Sequence, residues 1–156
     1  MINNDVLRSI RFMLDLADGK IVEITRLAAP DTGLGQEQVQ AYLKKEGEHG
    51  FVECPGEVLG AFLDGLVVHY RGPREDATPR PADKHVNNNV VLKKLRVAFE
   101  LKDVDMHDVF QSAGFPVSRP ELSALFRQRG HKNFRQCGDQ MLRNFLKGLT
   151  LRFRGE

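Results

Sequence analysis

A chain of 156 residues with 41% hydrophobic and 28% charged residues has the make-up of a soluble globular protein, which excludes disordered and fibrous classes. That length holds one full domain or two small ones near the lower limit of independent stability. The net charge of +2 conceals an uneven division between the halves.

The first helix is expected in "NNDVLRSIRFMLDL", where Leu7, Ile10 and Leu14 fall at helical spacing and Asn4 is available to cap the first turn. A short second helix follows near 20–29. A third starts weakly, with Gly35 and Gln38 at the cap and three residues on. The fourth is the strongest prediction, because Leu59, Phe62, Leu63, Leu66 and Tyr70 make a wide apolar stripe that must face a core. The most apolar run, "VLGAFLDGLVV" at 58–68, is broken by Asp64 and is shorter than the roughly 20 residues of a membrane span. Then "GPREDATPRPADKH", 72–85, brings three prolines and charges of both signs. It reads as a linker.

After the linker the chain begins again. "NNNVVLKKLRVAFEL" repeats the opening at an offset of 85, pairing Asn4 with Asn89, Leu7 with Leu92, Arg11 with Arg96 and Asp18 with Asp103. Beyond a two-residue slip in a loop the offset is 83, which pairs Cys54 with Cys137, Phe62 with Phe145, Gly65 with Gly148 and Leu66 with Leu149. One supersecondary unit is used twice. In the second copy Leu92, Leu95 and Phe99 mark the first helix, with Asn89 as its capping residue, and a second is expected near 105–113. "SRPEL" supplies a full capping box from Ser118 and Glu121, and Leu142, Phe145, Leu146, Leu149 and Phe153 form the last stripe. The expected fold is all-α, a tandem duplication of a roughly four-helix unit, with repeats at 1–72 and 85–156 and a linker at 73–84. Glycine inside a helix costs about 1 kcal/mol relative to alanine. Gly65 and Gly148 are therefore expected to mark a crossing of the two fourth helices, with the copies sharing a core about a pseudo-two-fold axis; a close approach inside each repeat is the alternative.

"NNDVLRSIRFML", "GFVECPGEVLGAFLDGLV", "NNNVVLKKLRVAF" and "HKNFRQCGDQMLRNFLKGL" resemble the bacterial YehS-like family, a tandem helical domain of unknown function. The resemblance covers nearly the whole chain outside the linker. It implies a helical fold and a bacterial cytoplasmic setting, and brings no activity, cofactor or catalytic residue with it. The N-terminus lacks a basic stretch followed by an apolar core and a small-residue cleavage site, and two cysteines are too few for a disulfide framework. The cytoplasm is the expected compartment.

Residues 1–72 carry seven Lys and Arg against eleven Asp and Glu, a balance of −4, and residues 85–156 carry thirteen against seven, a balance of +6. Such opposition suits a protein-interaction or assembly module, including self-association; the alternative is a nucleic-acid-binding or regulatory role for the basic copy. Residues 106–130 have the order and spacing of a helix-turn-helix around Gly114. Arg119, Ser123 and Arg127 at i, i+4 and i+8 would form an outward row, with Arg129, Lys132, Arg135 and Arg143 placed to contact phosphates. Lys132, Asn133, Arg135 and Asp139 could instead build an anion site at the start of the fourth helix, unless Asp139 merely faces the helix dipole with Arg135 as its ion-pair partner. The first copy holds Gln36, Gln40 and Lys44 at the row's positions, so two equivalent reading heads are not expected.

No enzyme is expected. His49 with Cys54 and His131 with Cys137 have spacings compatible with zinc, yet the histidines do not align between copies and the cysteines suit buried thiols. No metal, cofactor or membrane partner is therefore anticipated.

Overall fold

The structure, a computed structural model, describes residues 1–73 and 86–155. Residues 74–84 of the expected linker lie outside the described residues. Eight helices and no strand occur among the described residues: α1 (Asn3–Leu14), α2 (Asp18–Ala28), α3 (Gln36–Leu43), α4 (Gly56–Arg71), α5 (Asn88–Ala98), α6 (Asp103–Ser112), α7 (Arg119–Leu125) and α8 (Asp139–Arg154). They form two compact units, Met1–Val86 and Asn87–Glu156. Each unit repeats the same order of helices, so the all-helical tandem duplication stands.

In the first unit α2 lies along α4, with α3 against α2 and α1 against both α3 and α4. In the second, α6 lies along α8 and α5 packs on α8. The centre of each unit is built from the stripes read in the sequence: Leu59, Phe62, Leu63 and Leu66 are fully buried, as are Leu142, Phe145 and Leu149. The ends of those stripes differ from expectation. Tyr70 and Phe153 are 45% and 42% exposed, because the last turn of a 16-residue helix runs past the core it covers. At the C-terminal ends of α1 and α5 the core is met by Met13 and Ala98, whereas the expected Leu14 and Phe99 are half-buried.

The chain turns sharply after both first helices in the same way. Asp15 and Glu100 each adopt φ 53°, and the following amides, Leu16 and Leu101, donate back to Arg11 O and Arg96 O at 3.0 Å. This left-handed closure satisfies carbonyls that a helix end leaves without partners.

The two asparagines expected as caps do something else. Asn87 caps α5 by accepting the Val90 N–H at 2.9 Å, and at α1 the Asp5 carboxylate accepts the Ile2 N–H at 2.9 Å. Asn4, fully buried, reaches across its unit. Its amide donates to Tyr42 O at 3.0 Å and Val52 O at 2.8 Å and its oxygen accepts the Cys54 N–H at 2.9 Å. Asn89 makes the equivalent set with Leu125 O and Arg135 O at 3.0 Å and the Cys137 N–H at 2.8 Å. One side chain thus stitches the first helix to both the end of the third and the loop leading to the fourth. Asn3 and Asn88 add a bond each to Cys54 O and Cys137 O.

The glycines bear on a second expectation. A Cβ on Gly65 would stand 2.0 Å from Ile24 O, and one on Gly148 would stand 2.1 Å from Val109 O. Ile24 and Val109 are equivalent residues on α2 and α6. The glycines therefore admit a close crossing of the second and fourth helices inside each repeat, the alternative reading of their place in the sequence.

Gly65→Ala and Gly148→Ala should each destabilise the chain by about 1–3 kcal/mol, overpacking outweighing alanine's better helix propensity; an unchanged urea midpoint would contradict the close crossing. Asn4→Ala strips the partner from the buried Cys54 N–H and from two carbonyls, and a loss of about 1–3 kcal/mol per unpaired group is expected in the same measurement.

Candidate functional site

The helix-turn-helix order read in 106–130 is present. Gly114 takes φ 76° in the turn, the His107 ring nitrogen Nδ1 lies 3.1 Å from Val117 O, and Ser118 opens α7 with the expected capping box. The Glu121 N–H donates to the Ser118 hydroxyl at 3.2 Å and the Ser118 N–H donates to the Glu121 carboxylate at 3.1 Å. That backbone bond, with the Arg135 guanidinium and the Ser118 hydroxyl, holds the Glu121 carboxyl below the usual carboxylate range.

The expected row of side chains is not continuous. α7 has seven residues, about 10 Å of helix at 1.5 Å per residue, and Arg127 lies beyond its end. The reason is tertiary. Ala124 O accepts the Arg135 N–H at 3.0 Å and Leu125 O accepts the Asn89 amide, so the carbonyls that would carry another turn are bonded to the incoming loop and to α5. Arg119 and Ser123 are exposed on α7, while Arg127, Arg129, Lys132 and Asn133 are exposed on the loop and Arg143 on α8.

Arg135 does not join them as an open cation, since its guanidinium pairs with Glu121 at 2.5 Å. Nor is it the partner of Asp139, whose carboxylate accepts the Asn88 amide at 2.8 Å. The Asn133 N–H donates to His131 Nδ1 at 3.0 Å. Of the four residues read as a possible anion site, Lys132, Asn133, Arg135 and Asp139, the last two are thus each engaged by another partner.

What the fold does assemble is an open groove of about 480 Å³ in which Ser123 and Arg127 stand with Arg96, Phe126, Gln128 and His131. Arg96 is fixed there on three sides. Its Nε donates to Leu101 O at 3.0 Å, its terminal nitrogen pairs with Asp103 at 2.5 Å, and its guanidinium lies 4.7 Å from the Phe126 ring centroid, within cation–π range. Arg96, Gln128 and His131 were not among the residues expected from the sequence. The recurrence of Arg96 with Asp103 as Arg11 with Asp18, 3.9 Å apart, was the available signal. A further acid of this unit, Asp105, is lowered first by the Lys102 N–H and then by Arg152, its ion-pair partner at 3.1 Å.

The cysteines are buried, 1% exposed each, and free. Burial pushes the Cys54 thiol from its ordinary 9.0 up to about 12 and the Cys137 thiol up to about 11, which disfavours the thiolate that nucleophilic or metal chemistry requires. Among the described residues no group of three His, Cys, Asp or Glu could hold a metal ion, and no helix is long and apolar enough to cross a membrane.

A duplicated four-helix unit, its first helix stitched by an asparagine to the third helix and the loop after it, defines a class of tandem helical repeat proteins. The chain belongs to the family described as "Protein of unknown function (DUF1456)", whose profile matches residues 3–72 and again 88–155. It is 45% identical over 152 residues to the "Uncharacterized protein YehS" of Escherichia coli (strain K12), covering 97% of this chain and 96% of that one. No solved structure matches.

The raised thiols set a pH dependence. A folded chain keeps protons that an unfolded chain releases, so their contribution is complete below the ordinary thiol value of 9.0 and is lost as pH rises toward about 11 for Cys137 and about 12 for Cys54. Tyr42, also raised by burial and then by Cys54, acts in the same direction. Urea midpoints measured from pH about 8 to about 10.5 should fall, and fall less steeply in a C54A/C137A chain; equal slopes would contradict the assignment to the thiols.

Proposed function

We propose that this protein works by binding and not by catalysis, as an interaction module whose contact surface is the basic face of the second repeat, made by α7 and the loop after it. One observation carries the reading. Glu121, Asp103 and Asp105 are engaged by Arg135, Arg96 and Arg152, whereas Arg119, Arg127, Arg129 and Lys132 are exposed and have no ion-pair partner among the described residues. A surface whose acids are already paired and whose cations are open attracts an acidic partner.

An acidic protein surface fits better than a nucleic-acid groove. A helix of about two turns, with Arg127 off its end, offers few side chains to base edges, while open arginines and a rimmed groove suit carboxylates. Nucleic acid is the second reading, favoured by the same unpaired cations, which would serve phosphates equally. Raised, buried thiols support a non-enzymatic role, and two unpaired cysteines suit a cytoplasmic setting.

The test compares the wild-type chain with R127E/R129E in low-salt capture from cell lysate, with and without nuclease. The wild type should retain at least one species that the variant loses and that survives nuclease. Loss confined to nucleic acid would favour the second reading. Identical retention by the two chains would overturn both.

A further inference from the structure

We propose that the acidic partner of this basic face is the equivalent face of the first repeat, presented by a second copy of the chain; this rests on reading the second repeat as a contact surface. The two faces share one backbone. In the first repeat Val52, Glu48 and Phe51 donate their N–H groups to Ala41 O, Lys45 O and Glu48 O at 3.3, 3.1 and 3.1 Å. In the second, Arg135, His131 and Phe134 donate to Ala124 O, Gln128 O and His131 O at 3.0, 2.9 and 3.0 Å. Loops built alike present their side chains in corresponding places, so charge differences between them are differences of surface and not of fold.

Those differences are concentrated here. Residues 35–57 carry a net charge of −3 and residues 118–140 a net charge of +3. Six of the ten units that separate the halves therefore lie on this single face. Position by position, Gln36 answers to Arg119, Glu46 to Arg129, Glu53 to Gln136 and Glu57 to Gln140. Glu37, Glu46, Glu53 and Glu57 are exposed and have no ion-pair partner among the described residues, so neither face is neutralised within its own repeat. Val52 adds a half-exposed apolar side chain, 50% accessible, amid the acids. Every copy carries both faces, so two copies can close on each other or a series can join head to tail. Contacts of this kind weaken with salt, since the screening length falls from about 30 Å at 0.01 M to about 8 Å at 0.15 M ionic strength.

Sedimentation velocity of the whole chain at tens of micromolar, at low and at high salt, tests this. The wild type should associate at low salt and return to monomer at high salt. E46K/E53K/E57K and R119E/R127E/R129E, each checked for folding by its thermal melt, should associate at least about tenfold more weakly, or about 1.4 kcal/mol. An equimolar mixture of the two variants should associate again, because each then meets the opposite charge. A monomeric wild type at low salt, undiminished association in either variant, or a mixture that stays monomeric would overturn the proposal. If the wild type is monomeric but lysate capture still depends on Arg127 and Arg129, the partner is another acidic molecule and the contact-surface reading stands without self-association. If self-association follows the charge swaps while capture is indifferent to them, the occupant is the second copy alone.

Discussion

The structure of each repeat depends on one side-chain amide, fully buried in the first copy and half-buried in the second. Asn4, and Asn89 in the second copy, faces a place where a helix ends, a loop enters and the next helix begins. Backbone groups there have no helical partners, and burying them unpaired costs about 1–3 kcal/mol each. An amide has both a donor and an acceptor end, which is what two carbonyls and one N–H require. A carboxylate would repel the carbonyls, and an aliphatic residue would leave all three groups unmet.

That stitch also decides what the third helix can become. By bonding to Leu125 O while Arg135 N–H bonds to Ala124 O, it stops α7 after seven residues and sends Arg127 onto the loop. The loop, held at both ends, brings Arg127 and His131 beside Arg96 in the groove. The glycine crossings act at a different level: Gly65 and Gly148 let α4 and α8 approach the backbone of α2 and α6, which sets the depth of the core behind the stitched loop. A helix–helix frame this close leaves surface residues free to vary without moving the backbone that carries them.

Variation of that kind separates the two copies. Lys44 in the first repeat turns back to donate to His49 O at 2.7 Å, and Glu48 caps the Lys45 N–H at 2.9 Å, so the loop satisfies itself and its remaining acids point outward. In the second repeat Arg127 and His131 occupy those positions, the capping carboxylate is gone, and a neighbouring asparagine N–H takes the imidazole instead. Corresponding places on a common frame thus carry contrary charge, and chemical identity at the surface is set by side chains that the core does not constrain.

The amino-acid sequence by itself determined the helical class, the duplication, the four buried stripes' central residues and the Ser118 capping box, because periodicity, repetition and local caps are properties of neighbours along the chain. It also singled out Ser123 and Arg127, two of the side chains that line the groove. Only the tertiary structure decided that the asparagines bridge segments instead of capping, that the glycines serve crossings within each repeat, that Arg135 answers to Glu121 and that Arg96 belongs to the groove. Each of those depends on partners far away in sequence. Helical spacing continues Arg119 and Ser123 into Arg127 on paper, but a helix stops where distant donors take its last carbonyls, and no local pattern announces which donors those are.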